Sequence, residues 1–316
     1  MRRTISKATD TSIRLPFSSR NLSQTAGRLV SKSPFQLKPK YPDFQKVQAS
    51  RPDFDPSLPI TYSKTPDPAW KYGKGTSDPA SLEKIHVEID PSETGRPMIS
   101  NYRLLVSGIP RPISFVSTVS KDGETQNLAP MSYFQVVDHD PPTFVIGFSS
   151  RPDRPKDTMR NLEETGECVI NVVSDHFVEA VNATSLDIPY GKSEWGLSGL
   201  NAAPSKTVKP GRVKEAVFSI EGKLLEMKSL DYHGAGKAGK PFGSMAIIEA
   251  TRFWVREDAI NEAKNEVDLS VLRPLVQLGG IQYGRIRETF ELPRPSLAKE
   301  LEDKSSGLTK FLEDNQ

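Results

Sequence analysis

Arg111–Phe134, RPISFVSTVSKDGETQNLAPMSYF, and its continuation Phe144–Asn161, FVIGFSSRPDRPKDTMRN, are the most informative part of this 316-residue chain. The stretch reads as strand, Asp-Gly turn, strand, Pro-Pro break, strand, polar basic loop and helix start. The loop and helix start have the chemistry of a phosphate site. A helix opening at Lys156-Asp157-Thr158 presents backbone N–H groups and the positive end of its dipole. Ser149, Ser150, Arg151, Arg154 and Lys156 crowd in front of it with hydroxyl donors and cationic charge. Asn127–Phe134, NLAPMSYF, offers mixed amide, hydroxyl and backbone groups that can face a flat polar ring.

Working outward, Pro112–Ser120 reads as a strand, Asp122-Gly123 as its hairpin turn, and Gln126–Val137 as a return strand interrupted near Ala129-Pro130. Thr143–Phe148 is a third strand. Asp157–Thr165 is a short helix ended at Gly166, Cys168–Val173 a buried strand, and Asp175–Thr184 a second helix. Glu215–Lys228 and Ser244–Arg256 alternate as long strands. One strand–helix–strand unit among many strands favours an α+β barrel decorated by short helices over a doubly wound parallel sheet.

RPISFVST, NLAPMSYF and SSRPDRPKDTMRN, in this order and spacing, resemble the flavin-reductase-like family of FMN-binding split barrels, over roughly Met98 to Pro293. The resemblance implies a split β-barrel, bound FMN and a homodimer with flavin at the subunit interface. It implies that Ser117, Thr118, Asn127, Ala129, Ser132 and Tyr133 contact the ring, ribityl chain or phosphate. Ser149, Ser150, Arg151, Lys156, Asp157 and Thr158 match the family's phosphate segment. The resembled proteins often have glycine where Pro152 or Pro155 stands here, which stiffens this loop. Gly279–Gly284, GGIQYG, matches a turn near the flavin.

The net charge of +2 favours no polyanionic partner such as nucleic acid, and it hides an asymmetry. Residues 1–50 hold ten Lys/Arg and two Asp, a charge of +8 that leaves −6 for the rest. The Arg-, Ser- and Thr-rich head over 1–33, with Arg20-Asn21-Leu22-Ser23 as a processing site, has the composition of a mitochondrial transit peptide. Its alternative is a disordered basic tail on a cytoplasmic protein. No apolar run approaches a membrane span.

Eleven prolines in 34–97 prevent helix interiors and central strands, and make this an extended arm or linker. The aromatics Phe35, Tyr41, Phe44, Phe54, Tyr62, Trp70 and Tyr72 argue that parts of it pack on the body or a second subunit. The body, starting near Ile85, gives the barrel domain over 98–293, followed by a polar tail over 294–316 that reads as a surface helix or frayed end.

Other motifs carry less. Gly234–Lys240, GAGKAGK, satisfies GxGxxG and the first seven positions of a P-loop, but Pro241 replaces the required Ser/Thr and a strand follows where a helix is needed. It reads as a flexible loop, with His233 at its mouth as the weak candidate for a catalytic or nicotinamide contact. His86, His139, His176 and His233 lack metal-ligand spacing, so no metal is expected. Cys168, the only cysteine, lies in an apolar run and reads as core.

The expectation is an FMN-dependent oxidoreductase that takes hydride from NADH or NADPH and passes electrons to free flavin, a small acceptor or O₂. A flavoprotein oxygenase on an organic substrate and a non-catalytic flavin-binding module are the alternatives.

Overall fold

The computed structural model describes residues 43–90, 105–149, 155–230 and 243–314. The chain divides into two units, Met1–Pro56 and Ser57–Gln316. In the first, Phe44–Ala49 forms a short helix. The second opens with β1 (Thr61–Ser63) and continues with β2 (Arg111–Pro112), β3 (Ser114–Val119), β4 (Gln126–Met131), β5 (Phe134–His139), β6 (Pro142–Ser149) and β7 (Glu167–Val172). The short β8 (Ala202–Ala203) and β9 (Arg212–Val213) pair with each other. The long β10 (Phe218–Leu230) and β11 (Gly243–Val255) follow, then β12 (Leu275–Gln277), β13 (Tyr283–Arg285) and β14 (Glu288–Phe290).

Seven strands form the main sheet, in the order β4-β3-β7-β10-β11-β6-β5. Its edge strands, β4 and β5, are consecutive in sequence and separated only by Ser132 and Tyr133. In a flat sheet, six steps of about 4.8 Å would put those edges about 29 Å apart. Two linking residues reach only about 10 Å. The sheet therefore curls until its edges meet, and the chain is a split barrel. Tyr133 seals the corner, its carbonyl accepting the Gly147 N–H of β6 at 2.7 Å.

β3 is buried along its whole length, because both of its faces are covered. Val116 packs inside with Phe144, Ile146, Ile170, Ile248 and Leu162. Phe115 packs on the opposite side with Leu128, Val173, Phe177 and Val213. β10 crosses between β7 and β11, with a bulge at Glu221/Gly222. A Cβ on Gly222 would lie 2.5 Å from Ile248 Cγ2. Gly222→Ala is therefore expected to cost about 1–3 kcal/mol of stability, read as a lower urea midpoint with an unchanged slope.

Next to the bulge, Glu221 is fully buried. Its carboxylate accepts the Lys206 and Thr207 N–H groups, the Thr207 hydroxyl and Trp254 Nε1–H, the last at 2.6 Å. The Arg212 guanidinium stacks 4.2 Å above the Trp254 ring. Burial alone would raise the Glu221 pKa, but these hydrogen bonds together hold it below the usual carboxylate range.

Several elements differ from the sequence reading. The return strand breaks at Ser132-Tyr133 rather than at Ala129-Pro130. Pro130 stays within β4 because β4 is an edge strand, where a missing N–H faces away from the ladder. The helix expected over Asp175–Thr184 is a 3₁₀ turn, Asp175–Phe177, followed by an α-helix, Val178–Ala183. Ile85 is 92% exposed and starts no core. The barrel strands begin after Arg111.

The Pro-rich arm contributes β1, which pairs in parallel with β14. Nearby, the Tyr72 N–H donates to Ser306 O, and Gly73 lies against the Phe311 ring. The C-terminal segment carries two short helices, Leu297–Glu302 and Leu308–Asp314.

Candidate flavin site

The Asp157–Thr165 helix begins on Lys156, in extended conformation, and ends at Gly166 with φ 71°. Glycine takes that left-handed conformation without a Cβ penalty, and its N–H closes the last turn on Leu162 O. The N-cap side chain is a lysine, which can only donate, so it cannot cap the helix as Ser or Asp would. The helix start borders a cleft of about 640 Å³, within the range of ligand pockets. One wall is Ala129, Pro130 and Met131 of β4. A second is Ser149 with Pro155, Lys156, Asp157, Thr158 and Arg160. The third is Thr184–Ile188 with Tyr190 and Glu194.

A buried polar network fixes the helix start against the barrel. Asn127 Nδ2 donates to Thr118 Oγ1 at 3.2 Å and to Thr158 Oγ1 at 3.0 Å. Asn161 Nδ2 donates to Thr118 Oγ1 at 3.0 Å, and the Tyr190 hydroxyl donates to Asn161 Oδ1 at 3.2 Å. The chain of contacts thus runs from β3 through the helix to the third wall. Satisfied buried networks of this kind specify one geometry. The Arg160 guanidinium stacks 4.3 Å above Tyr190, and burial raises the pKa of that phenol.

Of the sequence candidates, the cleft brings together Ala129, Ser149, Lys156, Asp157 and Thr158. Thr118 and Asn127 are buried behind it, where Asn127 links Thr118 to Thr158. Ser117 turns away, its hydroxyl donating to Gly211 O. Ser132 and Tyr133 sit at the barrel corner, where Arg111 Nε donates to Ser132 Oγ at 3.4 Å and Arg111 lies 5.6 Å over the Tyr133 ring. Ser150, Arg151, His233 and the Gly/Lys loop lie outside the described residues. Among the described residues, no group of His, Cys, Asp and Glu is placed to hold a metal. Burial pushes the Cys168 thiol up to about 12, which makes it a poor nucleophile.

The third wall escaped the sequence reading. Thr184–Glu194 is a loop with no motif, and its only signal is Tyr190 in a polar stretch. Glu194 is 5% exposed, and its Oε2 accepts the Leu128 N–H at 3.0 Å.

The flavin reductase like domain matches residues 106–276. An uncharacterized protein of Halalkalibacterium halodurans is 36% identical over 218 residues, 68% of this chain and all of that protein. The crystal structure of nitrilotriacetate monooxygenase component B from Bacillus cereus superposes with a TM-score of 0.61 at 32% identity, covering 66% of this chain and 100% of that one. Pseudomonas fluorescens 2-nitrobenzoate 2-nitroreductase gives 0.56 at 29% identity, covering 67% and 98%. The barrel and the cleft thus have the build of a split-barrel flavoprotein. The chain belongs to the flavin reductase-like family, whose chemistry is flavin-related oxidoreduction.

Proposed function

We propose that the protein is an FMN-dependent oxidoreductase reduced by NADH or NADPH. The observation that carries this reading is the junction in one cleft of a helix start bearing Lys156 with the Ala129–Met131 strand edge. A phosphate fits the helix start, through the Lys156 ammonium, the Thr158 region and the dipole. A flat ring fits the β4 wall, whose outer edge carries backbone carbonyls that accept an imide N–H. Bound FMN supplies hydride acceptance and onward electron transfer.

The chain's own residues bind, orient and exclude water. Lys156 neutralises charge, the Asn127–Thr158 hydrogen bond holds the helix start to β4, and Leu186, Ile188 and Tyr190 cover the cleft from the third wall. No side chain is required as a nucleophile. The same reading includes a homodimer, a nicotinamide or acceptor contact from the loop carrying His233, and a mitochondrial address in residues 1–33. The electron acceptor is free flavin, a small molecule or O₂.

Purified protein is expected to be yellow. Mixing it anaerobically with NADPH or NADH in a stopped-flow cell should bleach the 450 nm flavin band with single-exponential kinetics. A flavin that stays oxidised with both nucleotides would reduce the protein to a flavin-binding module.

A further inference from the structure

Among the described residues, Glu194 is the one buried carboxylate on the cleft wall. It has one evident structural duty. β4 is an edge strand, so its outward Leu128 N–H has no ladder partner, and Glu194 Oε2 accepts it. A neutral glutamine carbonyl would serve that N–H equally well without the cost of burying a charge. The carboxylate therefore adds negative charge to a cleft that already holds Asp157. Among the described residues, Lys156 and Arg160 on the helix, and Asp187 and Tyr190 on the third wall, are the other charged and titratable groups lining this cleft. Among the described residues, no ion pair neutralises Glu194.

We propose that Glu194 is a specificity-determining residue that sets how strongly the cleft prefers a phosphorylated flavin over its uncharged counterpart. Ionised, it opposes the phosphate dianion held at Lys156. Protonated, it removes that opposition while still accepting the Leu128 N–H. Burial, helped by the charge of Asp157 and opposed by the Leu128 N–H, raises its pKa above the ordinary carboxylate value. A dianion held in the same cleft raises that pKa further, so binding takes up a proton. The penalty that Glu194 places on FMN then shrinks as the pH falls toward the range where Glu194 protonates. The inference rests on the FMN reading given above.

The test compares FMN with riboflavin, which lacks the phosphate, by fluorescence titration of apoprotein at pH 8 and pH 5. Glu194→Gln is expected to bind FMN about tenfold more tightly at pH 8, one charge having been removed from the cleft that holds the dianion, with riboflavin unchanged. The gap in FMN preference between the Gln variant and wild type should shrink between pH 8 and pH 5, as Glu194 protonates. Glu194→Ala, which strands the Leu128 N–H, should weaken both flavins alike. A Gln variant that weakens both flavins, or whose FMN preference keeps the wild-type value at both pH values, would leave Glu194 with a structural role only and overturn the proposal. Wild-type protein that binds neither flavin would remove the FMN reading and this inference together.

Discussion

Glu221→Ala is expected to destabilise the protein by about 3–5 kcal/mol, because four donors lose one buried acceptor and each stranded donor costs roughly 1–3 kcal/mol, partly relieved by relaxation. The carboxylate ties the Lys206–Thr207 loop to β10 and, through Trp254, to β11. Glu221→Gln should cost less, since it keeps one acceptor oxygen but turns its amide toward Trp254 Nε1 or Thr207 N. The effect has a pH signature. The folded-state pKa of Glu221 is depressed, so its ionised form contributes stability above the unfolded value of about 4.3. That contribution is lost as the pH falls through the folded-state value. Urea titrations of wild type and Glu221→Gln at pH 7 and in the acid range below pH 4 should therefore show a gap that narrows in acid. A constant gap would mean that folding does not shift the Glu221 pKa.

The second large effect is expected at the helix start. Lys156→Ala should weaken FMN about ten- to a hundredfold, the worth of one charge-assisted contact of roughly 1.5–3 kcal/mol. Riboflavin should bind the variant and wild type equally. Lys156 is exposed and precedes the helix in an extended conformation that alanine also adopts, so the variant should fold normally. Calorimetric titration of both flavins checks this. Equal losses for riboflavin and FMN would put the phosphate elsewhere.

The strands were legible because their patterns are local. Alternation marked β10 and β11, Asp122-Gly123 marked the first hairpin, and Gly166 marked the end of the helix at Thr165. Pro130 misled the reading of β4, since a proline ends a central strand but not an edge strand, and edge position is a property of the whole sheet.

The helix start at Asp157 was legible for the same local reason, with a strand end, cations and a helical pattern in one run. The third wall was not. Glu194 reaches the cleft only because the chain returns across the outer edge of β4, a contact 66 residues distant in sequence. Ser117 shows the converse. The family resemblance implied a ligand contact there, whereas β3 is covered on both faces and the hydroxyl donates to Gly211 O.

The pairing of β1 with β14 bears on how the chain can be shortened. It brings Thr61 beside Glu288, with the Thr61 hydroxyl reaching Arg287 O across 226 positions. The family domain thus lies inside a loop closed by three-residue strands. A two-stranded ribbon this short has little stability of its own, and closing so long a loop carries an entropy cost that grows only slowly with its length. Trimming the arm through Ser63 would unpair the C-terminal strand, and trimming from Glu288 would release the arm. Domain boundaries chosen from the family match alone, residues 106–276, cut both halves of this clasp away together.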